Sequence, residues 1–207
     1  MHGSIKFRDY GDFFAAISEA GKVRDDGFVC RWKAPFAAIE MEVYRLTAGV
    51  TLKLFEIRPT IDIYIPYEFD GSHFEVTYCI SGGFVLEDRY CGRGLFRANR
   101  LSLTQKLGSR GDMVFRRNQP FIGITFSAAG GALKGVLGEA GNALWEEATG
   151  ANDLAARRSL HFGIAAPWDV TGSFLQIAGC DYPQKARGLF FESKFKEILS
   201  RMIALNI

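Results

Sequence analysis

The sequence predicts an α+β chain: an antiparallel β-barrel or sandwich of about eight strands, followed by a C-terminal helical segment. Two observations support this class. From residue 28 to residue 126 the apolar residues recur with a period of two, and glycines and prolines separate the short segments. After the run Ala128-Ala129-Gly130-Gly131 the apolar residues recur with a helical period. Strands that precede helices, rather than alternating with them, are typical of α+β proteins.

The first predicted element is a short helix, Asp12–Ala20, in which Phe13 and Ile17 share a face and which Gly21 would end. The alternating segments after it are predicted strands, and Gly82-Gly83 predicts a hairpin turn between two of them. These strands are Met41–Leu46, Thr51–Ile57, Ile61–Tyr67, His73–Ile80, Phe84–Asp88, Leu101–Leu107, Met113–Arg116 and Phe121–Phe126.

Helical patterns follow the boundary near residue 130. They are Leu133–Leu137, Asn142–Thr149, Asp169–Ala178 and Gln184–Leu205. The last helix carries apolar residues at alternating spacings of four and three, which predicts a seam between two copies in a dimer. The alternative is that this stripe packs on the preceding helix of the same chain. The residues of the stripe are Phe191, Phe195, Ile198, Met202 and Leu205.

Composition and charge narrow the function. Hydrophobic residues make up 48% of the 207 residues, which is enough to bury a full core. The net charge is only +2, so the chain as a whole is not predicted to bind nucleic acid electrostatically. The basic residues are unevenly placed, however: eight lie between Arg89 and Arg117, opposed only by Asp112.

The sequence predicts a reduced, cytoplasmic protein. None of its four cysteines has the short spacing of a zinc or redox motif. Charged residues interrupt the start of the chain where a secretory signal would have its apolar stretch, and no apolar run is long enough for a membrane span.

Motifs for catalysis are missing from the sequence. His73 and Glu75 form a His-x-Glu pair, but only one of the three histidines lies in the barrel segment, so no metal site is predicted. The nucleophile-elbow, Walker and dinucleotide-binding motifs do not occur either. We therefore expect no catalytic residues, no cofactor and a protein that is not an enzyme.

Two stretches resemble the effector-binding and dimerisation domain of AraC-type transcriptional regulators, particularly the branch that responds to siderophores. The first is FEVTYCISGGF at 74–84, followed by GDM at 111–113. The second is IAGCDYP at 177–183, followed by RGLFFESK at 187–194 and EIL at 197–199. It is similar to a Cys-x-Tyr hinge and a helix that reads Leu-Tyr-Leu-Glu-x-Lys-x-x-Glu-Leu-Leu. This chain keeps the frame at Glu192, Lys194 and Glu197 and changes it conservatively at Phe190, Phe191 and Ile198.

The resemblance implies a cupin-like barrel in residues 1–130 that senses a small organic effector, and a helical segment in residues 131–207 that dimerises and relays the signal. DNA would be bound only through a helix-turn-helix domain that we expect to be absent from this chain. The alternatives are a metal-dependent enzyme of the cupin type and an interaction module that binds no ligand.

The predicted ligand site combines an aromatic interior with a basic rim. The interior residues would be Phe55, Tyr64, Tyr78, Phe84 and Phe126, and the alternative is that they only fill the core. The rim would be Arg93, Arg97 and Arg100, which would bind an anionic ligand; the alternative is that they are solvated strand faces.

Overall fold

The computed structural model describes residues 3–46, 49–89, 92–129, 132 and 160–204. The strands in these ranges are β1 (Ser4–Lys6), β2 (Gly21–Arg24), β3 (Gly27–Ala34), β4 (Ala37–Arg45), β5 (Val50–Pro59), β6 (Asp62–Asp88), β7 (Gly92–Arg97), β8 (Arg100–Phe115), β9 (Phe121–Ala129) and β10 (Leu160–Ala165). The helices are α1 (Tyr10–Ser18), α2 (Trp168–Ala178) and α3 (Gln184–Ala204). The predicted α+β class is confirmed. The predicted helices at 133–137 and 142–149, and Leu205, lie outside the described residues.

All ten strands belong to one curled sheet, in the order β10-β8-β6-β9-β5-β4-β3-β2, with β1 and β7 also pairing with β6. The pairs are antiparallel except for β1 with β6. Residues 111–114 of β8 pair on one side with residues 64–67 of β6 and on the other with residues 85–88 of the same strand. Strand β6 therefore folds around the end of β8, which curls the sheet and encloses an interior.

The hairpin predicted at Gly82-Gly83 is a bend within one long strand instead. Strand β6 runs through both glycines, with a shift in its pairing between Cys79 and Ser81. Gly82 has a φ of 71°, and a Cβ atom there would lie 1.5 Å from the carbonyl oxygen of Pro120. Glycine is required because the neighbouring backbone occupies the place of a side chain.

The helical segment also contributes to the sheet, which the sequence did not predict. Strand β10 pairs with β8, Leu160 lying opposite Thr104 and Ala165 opposite Arg100. The strand is interrupted by an irregularity between His161 and Ile164, which spoils the two-residue period on which a prediction depends.

Each face of the sheet covers its own apolar core. One core lies between the outer face and the helices, where Val76 and Leu52 meet Phe174 of α2 and Ile198 of α3. The other fills the barrel interior and extends to helix α1 through Ile17. Because side chains alternate along a strand, neighbouring residues of β6 and β9 belong to different cores.

Helix α3 lies on the outer face of the barrel sheet of its own chain. Phe191 contacts Tyr44 edge-on at a ring-centroid distance of 4.9 Å, and Phe195 stacks on Phe126 at 4.6 Å. Ile198 and Met202 are fully buried in the same core. The apolar stripe is therefore occupied within the chain, and dimerisation through this helix stays a prediction.

Charged side chains join α2 to α3. The Asp169 carboxylate accepts a hydrogen bond from the Arg201 guanidinium, which also donates to Glu197 at 2.8 Å. Lys194 donates to the other oxygen of Glu197 at 2.6 Å. Of these contacts, the one between Arg201 and Asp169 joins α3 to α2.

Stability in acid is expected to depend on Asp169. Its hydrogen bond from Arg201 holds the pKa of Asp169 below its ordinary value, although burial acts in the opposite direction. A carboxyl group whose pKa is lowered by folding stabilises the native state above its unfolded pKa, about 3.9, and loses that contribution as the pH falls. Asp169→Asn should therefore melt at a lower temperature than the wild type at neutral pH, with the difference shrinking as the pH falls below about 3.9.

The matched control is Asp181→Asn, because Asp181 is exposed and lies just before α3. Thermal melting of the three proteins at several pH values makes the comparison. Equal melting temperatures of the wild type and Asp169→Asn at neutral pH would show that the ion pair between Asp169 and Arg201 does not stabilise the fold.

Candidate functional site

The barrel interior contains a cavity of about 90 Å³, room for several water molecules. Strands β4, β5, β6, β8 and β9 supply most of its wall. Helix α1 supplies Tyr10 and Phe13. This helix begins where the Asp9 carboxylate accepts a hydrogen bond from the backbone N–H of Asp12 at 2.7 Å, an ordinary N-cap that fixes Tyr10 beside the sheet.

Glu75 is a fixed carboxylate at the polar end of the cavity. The Ser127 hydroxyl donates to Oε1 of Glu75 at 2.9 Å, and Thr104 Oγ1 lies 3.5 Å from Oε2. These two residues stand directly opposite Glu75 on the strands at either side of β6. Hydroxyl donors on both flanks orient the carboxylate.

Lys53 places an ammonium group beside this carboxylate. Its Nζ lies 3.5 Å from Glu75 Oε1, and the side chains of Lys53 and Glu75 are only 22% and 15% exposed. An ammonium has three N–H donors, and Glu75 is the only acceptor for Lys53 among the residues that the structure describes. The other two donors have no acceptor among these residues.

The charges at this end reinforce one another. Burial lowers the pKa of Lys53, but the attraction of Glu75 and of Tyr10 outweighs it, so that the pKa is raised and the lysine stays protonated. Burial raises the pKa of Tyr10, as does Glu75, while Lys53 opposes the shift. The site at neutral pH is thus an ammonium, a carboxylate and a neutral phenol.

Hydroxyl groups extend the polar end by one more row. The side chains of Thr77 and Thr125 face each other across β6 and β9 and share a hydrogen bond of 2.9 Å. Both threonines are buried and line the cavity.

Aromatic rings form the other end of the cavity. Phe84 lies at their centre, stacked on Phe96 at a centroid distance of 4.1 Å and on Phe115 at 5.0 Å, with Phe121 edge-on at 4.9 Å. All four side chains are less than 10% exposed. The cavity is therefore amphipathic, with charge at one end and phenyl rings at the other.

The structure brings only two of the five predicted interior residues to the cavity, namely Phe55 and Phe84. Tyr78 and Phe126 lie on the opposite face of the sheet, where both pack on Phe174 of α2. Tyr64 also faces outward and accepts a hydrogen bond from Arg116 at 3.2 Å. Sequence analysis assigned the apolar face of β6, which includes Tyr78, to the barrel interior. In the structure the helices cover that face, and the other face of β6 lines the cavity.

The predicted basic rim is not at the cavity either. Arg93, Arg97 and Arg100 are exposed, and none of the three lines the cavity. Arg97 instead borders a separate open groove together with Arg116. A role for these arginines in binding stays a prediction.

The residues that the structure describes do not fit a metal centre. No group of three His, Cys, Asp or Glu side chains among them converges in a way that could hold an ion. Beside Glu75 lies the ammonium of Lys53, which has no lone pair to offer a metal and whose positive charge disfavours a cation there. The side chains of His73 and His161 lie outside the described part.

No protein-family model and no curated protein matches this sequence. Among solved structures, the chain is similar to EutQ of Clostridium difficile, with 13% identity, a TM-score of 0.36, and 52% of this chain and 80% of that one covered. It is also similar to a predicted oxalate decarboxylase of Thermotoga maritima (13% identity, 44% and 81% covered, TM-score 0.35). A third similar structure is that of the DMSP lyases RdDddP and RnDddQII, with 11% identity and a TM-score of 0.32. The match covers 44% of this chain and 47% of that one. Similarity of this degree bears on the fold alone.

The fold is the cupin-like barrel with C-terminal helices that the sequence predicts. The prediction that the chain is not an enzyme is corrected to this extent: the structures of similar fold include a predicted oxalate decarboxylase and DMSP lyases, so the fold does not exclude catalysis. No helix among the described residues is both long enough and apolar enough to cross a membrane.

The polar cavity residues that sequence analysis missed as such are Lys53, Glu75, Thr77, Thr125 and Tyr10. A signal for the first two was present, since each charged residue occupies the alternate position of a strand whose neighbours are apolar. A charged residue at such a position is normally assigned to solvent, and only the closure of the sheet turns that face inward.

Proposed function

We propose that the barrel binds a small carbonyl compound and transfers a proton at the carbon next to the carbonyl group. One observation carries the proposal: the ammonium of Lys53 lies 3.5 Å from the oriented carboxylate of Glu75 in an amphipathic cavity. A base and an oxyanion donor side by side are what such a reaction needs.

The roles follow from the protonation states. Glu75, as the carboxylate, removes a proton from the carbon next to the carbonyl group. The electron pair of the broken C–H bond moves into the carbonyl group, and Lys53 donates hydrogen bonds to the oxygen that becomes negative. Glu75 then returns its proton to carbon, so the step is balanced without any co-reactant. Tyr10 remains a neutral phenol beside the pair, since its pKa is raised by burial.

Hydrogen–deuterium exchange tests this assignment directly. We expect the protein to speed the exchange of the C–H protons next to the carbonyl group of 2-butanone in D₂O, followed by NMR. Lys53→Met should reduce the enhancement about 100-fold or more, because it removes the donor that stabilises the developing oxyanion.

The matched control is Lys33→Met, which removes an exposed lysine from β3. Exchange at the buffer rate with wild-type protein, or a Lys53→Met variant as fast as the wild type, would refute the proposed reaction.

The second candidate is the effector-sensing part of a cytoplasmic AraC-type regulator. What favours it is the path from the cavity to α3: Thr125 lines the cavity, and the next residue of β9, Phe126, carries the stacked ring of Phe195 on the other face. A small organic effector would thereby shift how α3 packs, and α3 would pass that shift to a dimer partner and to a DNA-binding domain.

Amide hydrogen exchange distinguishes this second candidate. A regulator should show altered protection in α3 when a cavity ligand binds, together with a dimer in solution. Ligand binding that leaves α3 unchanged and the protein monomeric would argue against a sensor.

A further inference from the structure

The groove bordered by Arg97 and Arg116, called the outer groove below, has a volume that the barrel cavity lacks. It measures about 450 Å³, whereas the cavity measures about 90 Å³. Sites for organic ligands usually have about 300–1,000 Å³. Strands β6 and β7 supply the floor of the outer groove, and the turn between β8 and β9 supplies a wall. The outer groove is therefore large enough for an organic molecule.

Two arginines stand on either side of a glycine in this groove. Gly83 lies opposite Arg97 in the pairing of β6 with β7. On the other side of β6, Val85 pairs with Val114 of β8. Two residues further along these antiparallel strands, Gly83 is level with Arg116. Neighbouring strands lie about 4.8 Å apart, so the backbones of the two arginines are about 10 Å apart, near enough for their side chains to share one anionic group.

Backbone contacts form the outer groove in advance of any ligand. The N–H of Gly83 donates to the carbonyl oxygen of Pro120 at 3.3 Å, and a Cβ atom on Gly83 would lie 2.1 Å from the carbonyl oxygen of Phe96. Glycine is required at this point, and the floor between the arginines is bare backbone. The N–H of Asn118 donates to the carbonyl oxygen of Pro59 at 2.9 Å, which ties the wall to the end of β5. A preformed groove has little conformational entropy to lose on binding.

The charges that line the outer groove favour an anion. Arg97 is exposed and forms no ion pair with any residue that the structure describes. Nη1 of Arg116 donates to Asp62 at 2.7 Å and to the Tyr64 hydroxyl at 3.2 Å. In the described part of the chain, Nε and Nη2 of Arg116 have no acceptor. Two guanidinium groups and the Asp62 carboxylate leave one positive charge, which a single ligand carboxylate balances.

An apolar row lies directly beside the two arginines. Val85 is opposite Leu95, two residues from the pair that Gly83 forms with Arg97. Because side chains alternate along a strand, Leu95 and Arg97 share the outward face of β7. Leu95 is 37% exposed, and both aliphatic residues line the outer groove. A ligand that covers them buries apolar surface while its charged end reaches the arginines.

From this arrangement we infer that the outer groove binds an organic monocarboxylate. The carboxylate group accepts hydrogen bonds from Arg97 and Arg116 above Gly83, and the aliphatic body covers Leu95 and Val85. This site lies on the outward face of the barrel sheet. The inference does not depend on the proton transfer proposed for the cavity.

NMR titration of the isotope-labelled wild-type protein with hexanoate tests the ligand class. We expect saturable shifts of the backbone amides of Gly83, Arg97 and Gln119. The Kd should be about 10-fold or more below that of acetate, which lacks the apolar body, and of hexanol, which lacks the charge. Shifts that do not saturate, equal affinity for hexanoate and hexanol, or tighter binding of inorganic phosphate would each overturn the inference.

Two variants of β7 test the position of the carboxylate. Arg97→Gln should raise the Kd of hexanoate about 10-fold. Arg93→Gln is the matched control, since Arg93 is exposed on the same face of β7 but does not line the outer groove. Its Kd should stay within about two-fold of the wild-type value, because salt screens a charge that is not in contact. Equal losses in the two variants would show attraction to general basic charge and would overturn the assigned site.

Discussion

Phe195→Ala is expected to lower the free energy of unfolding by about 3–5 kcal/mol, the usual cost of removing a buried aromatic ring. The Phe195 side chain is only 2% exposed and stacks on Phe126 at a centroid distance of 4.6 Å. The space left by the missing ring lies between a helix and a sheet, and it is apolar. Neither water nor a small shift of the helix can fill it without cost. Denaturant unfolding of wild type and variant, followed by circular dichroism, measures the difference.

Leu189→Ala is the matched control, because Leu189 lies on the same helix with 74% of its surface exposed. Its free energy of unfolding should lie within about 0.5 kcal/mol of the wild-type value. Packing within one chain also makes the stability lost at Phe195 independent of protein concentration. A loss that grows on dilution would instead show that the ring is buried between two chains.

The apolar pattern of α3 does not show whether its stripe is buried within one chain or between two chains. The stripe from Phe191 to Met202 predicts an apolar helix face, and the structure confirms that this face is buried. A helix that lies on a sheet and a helix that pairs with its copy need the same spacing of apolar residues. What covers the face is decided by residues distant in sequence, here Tyr44 and Phe126 of the barrel.

Local elements with a strong period are those that the sequence predicts well. Helix α3 was predicted as Gln184–Leu205 and is observed as Gln184–Ala204, and the predicted strand Thr51–Ile57 lies within β5. Strand β6 was predicted as three segments because Pro66 and Gly82 normally interrupt a strand. In the folded chain neither residue ends β6: Pro66 pairs regularly with Asp112, and the pairing shifts only between Phe69 and Ser72 and between Cys79 and Val85.

The face of each strand that turns inward was the least predictable feature. In β6 the residues Phe74, Val76 and Tyr78 form the more apolar face, which the sequence assigns to the interior. Helices α2 and α3 cover that face instead, so Glu75 and Thr77 line the cavity. A barrel with a helical layer outside has two buried faces, and apolar residues on one of them do not reveal which side is the interior.

Glu75→Gln is expected to reduce the accelerated exchange of 2-butanone by about 100- to 10,000-fold, the contribution of a positioned general base. Glutamine has nearly the same shape and can still accept the hydrogen bond of Ser127, so the barrel should fold. It cannot take a proton from carbon. Initial rates of exchange, compared at equal concentrations of folded protein, give the ratio.

Glu40→Gln controls for the loss of one carboxylate, since Glu40 lies on β4 with 57% of its side chain exposed. The variant should exchange protons at the wild-type rate. Binding provides a second readout, because the carbonyl oxygen is bound by Lys53 rather than by Glu75. Glu75→Gln should therefore keep a Kd for 2-butanone close to that of the wild type while exchange is lost. If exchange survived in Glu75→Gln but was lost in Lys53→Met, the base would be another group, and the carboxylate would serve only to hold the ammonium in place.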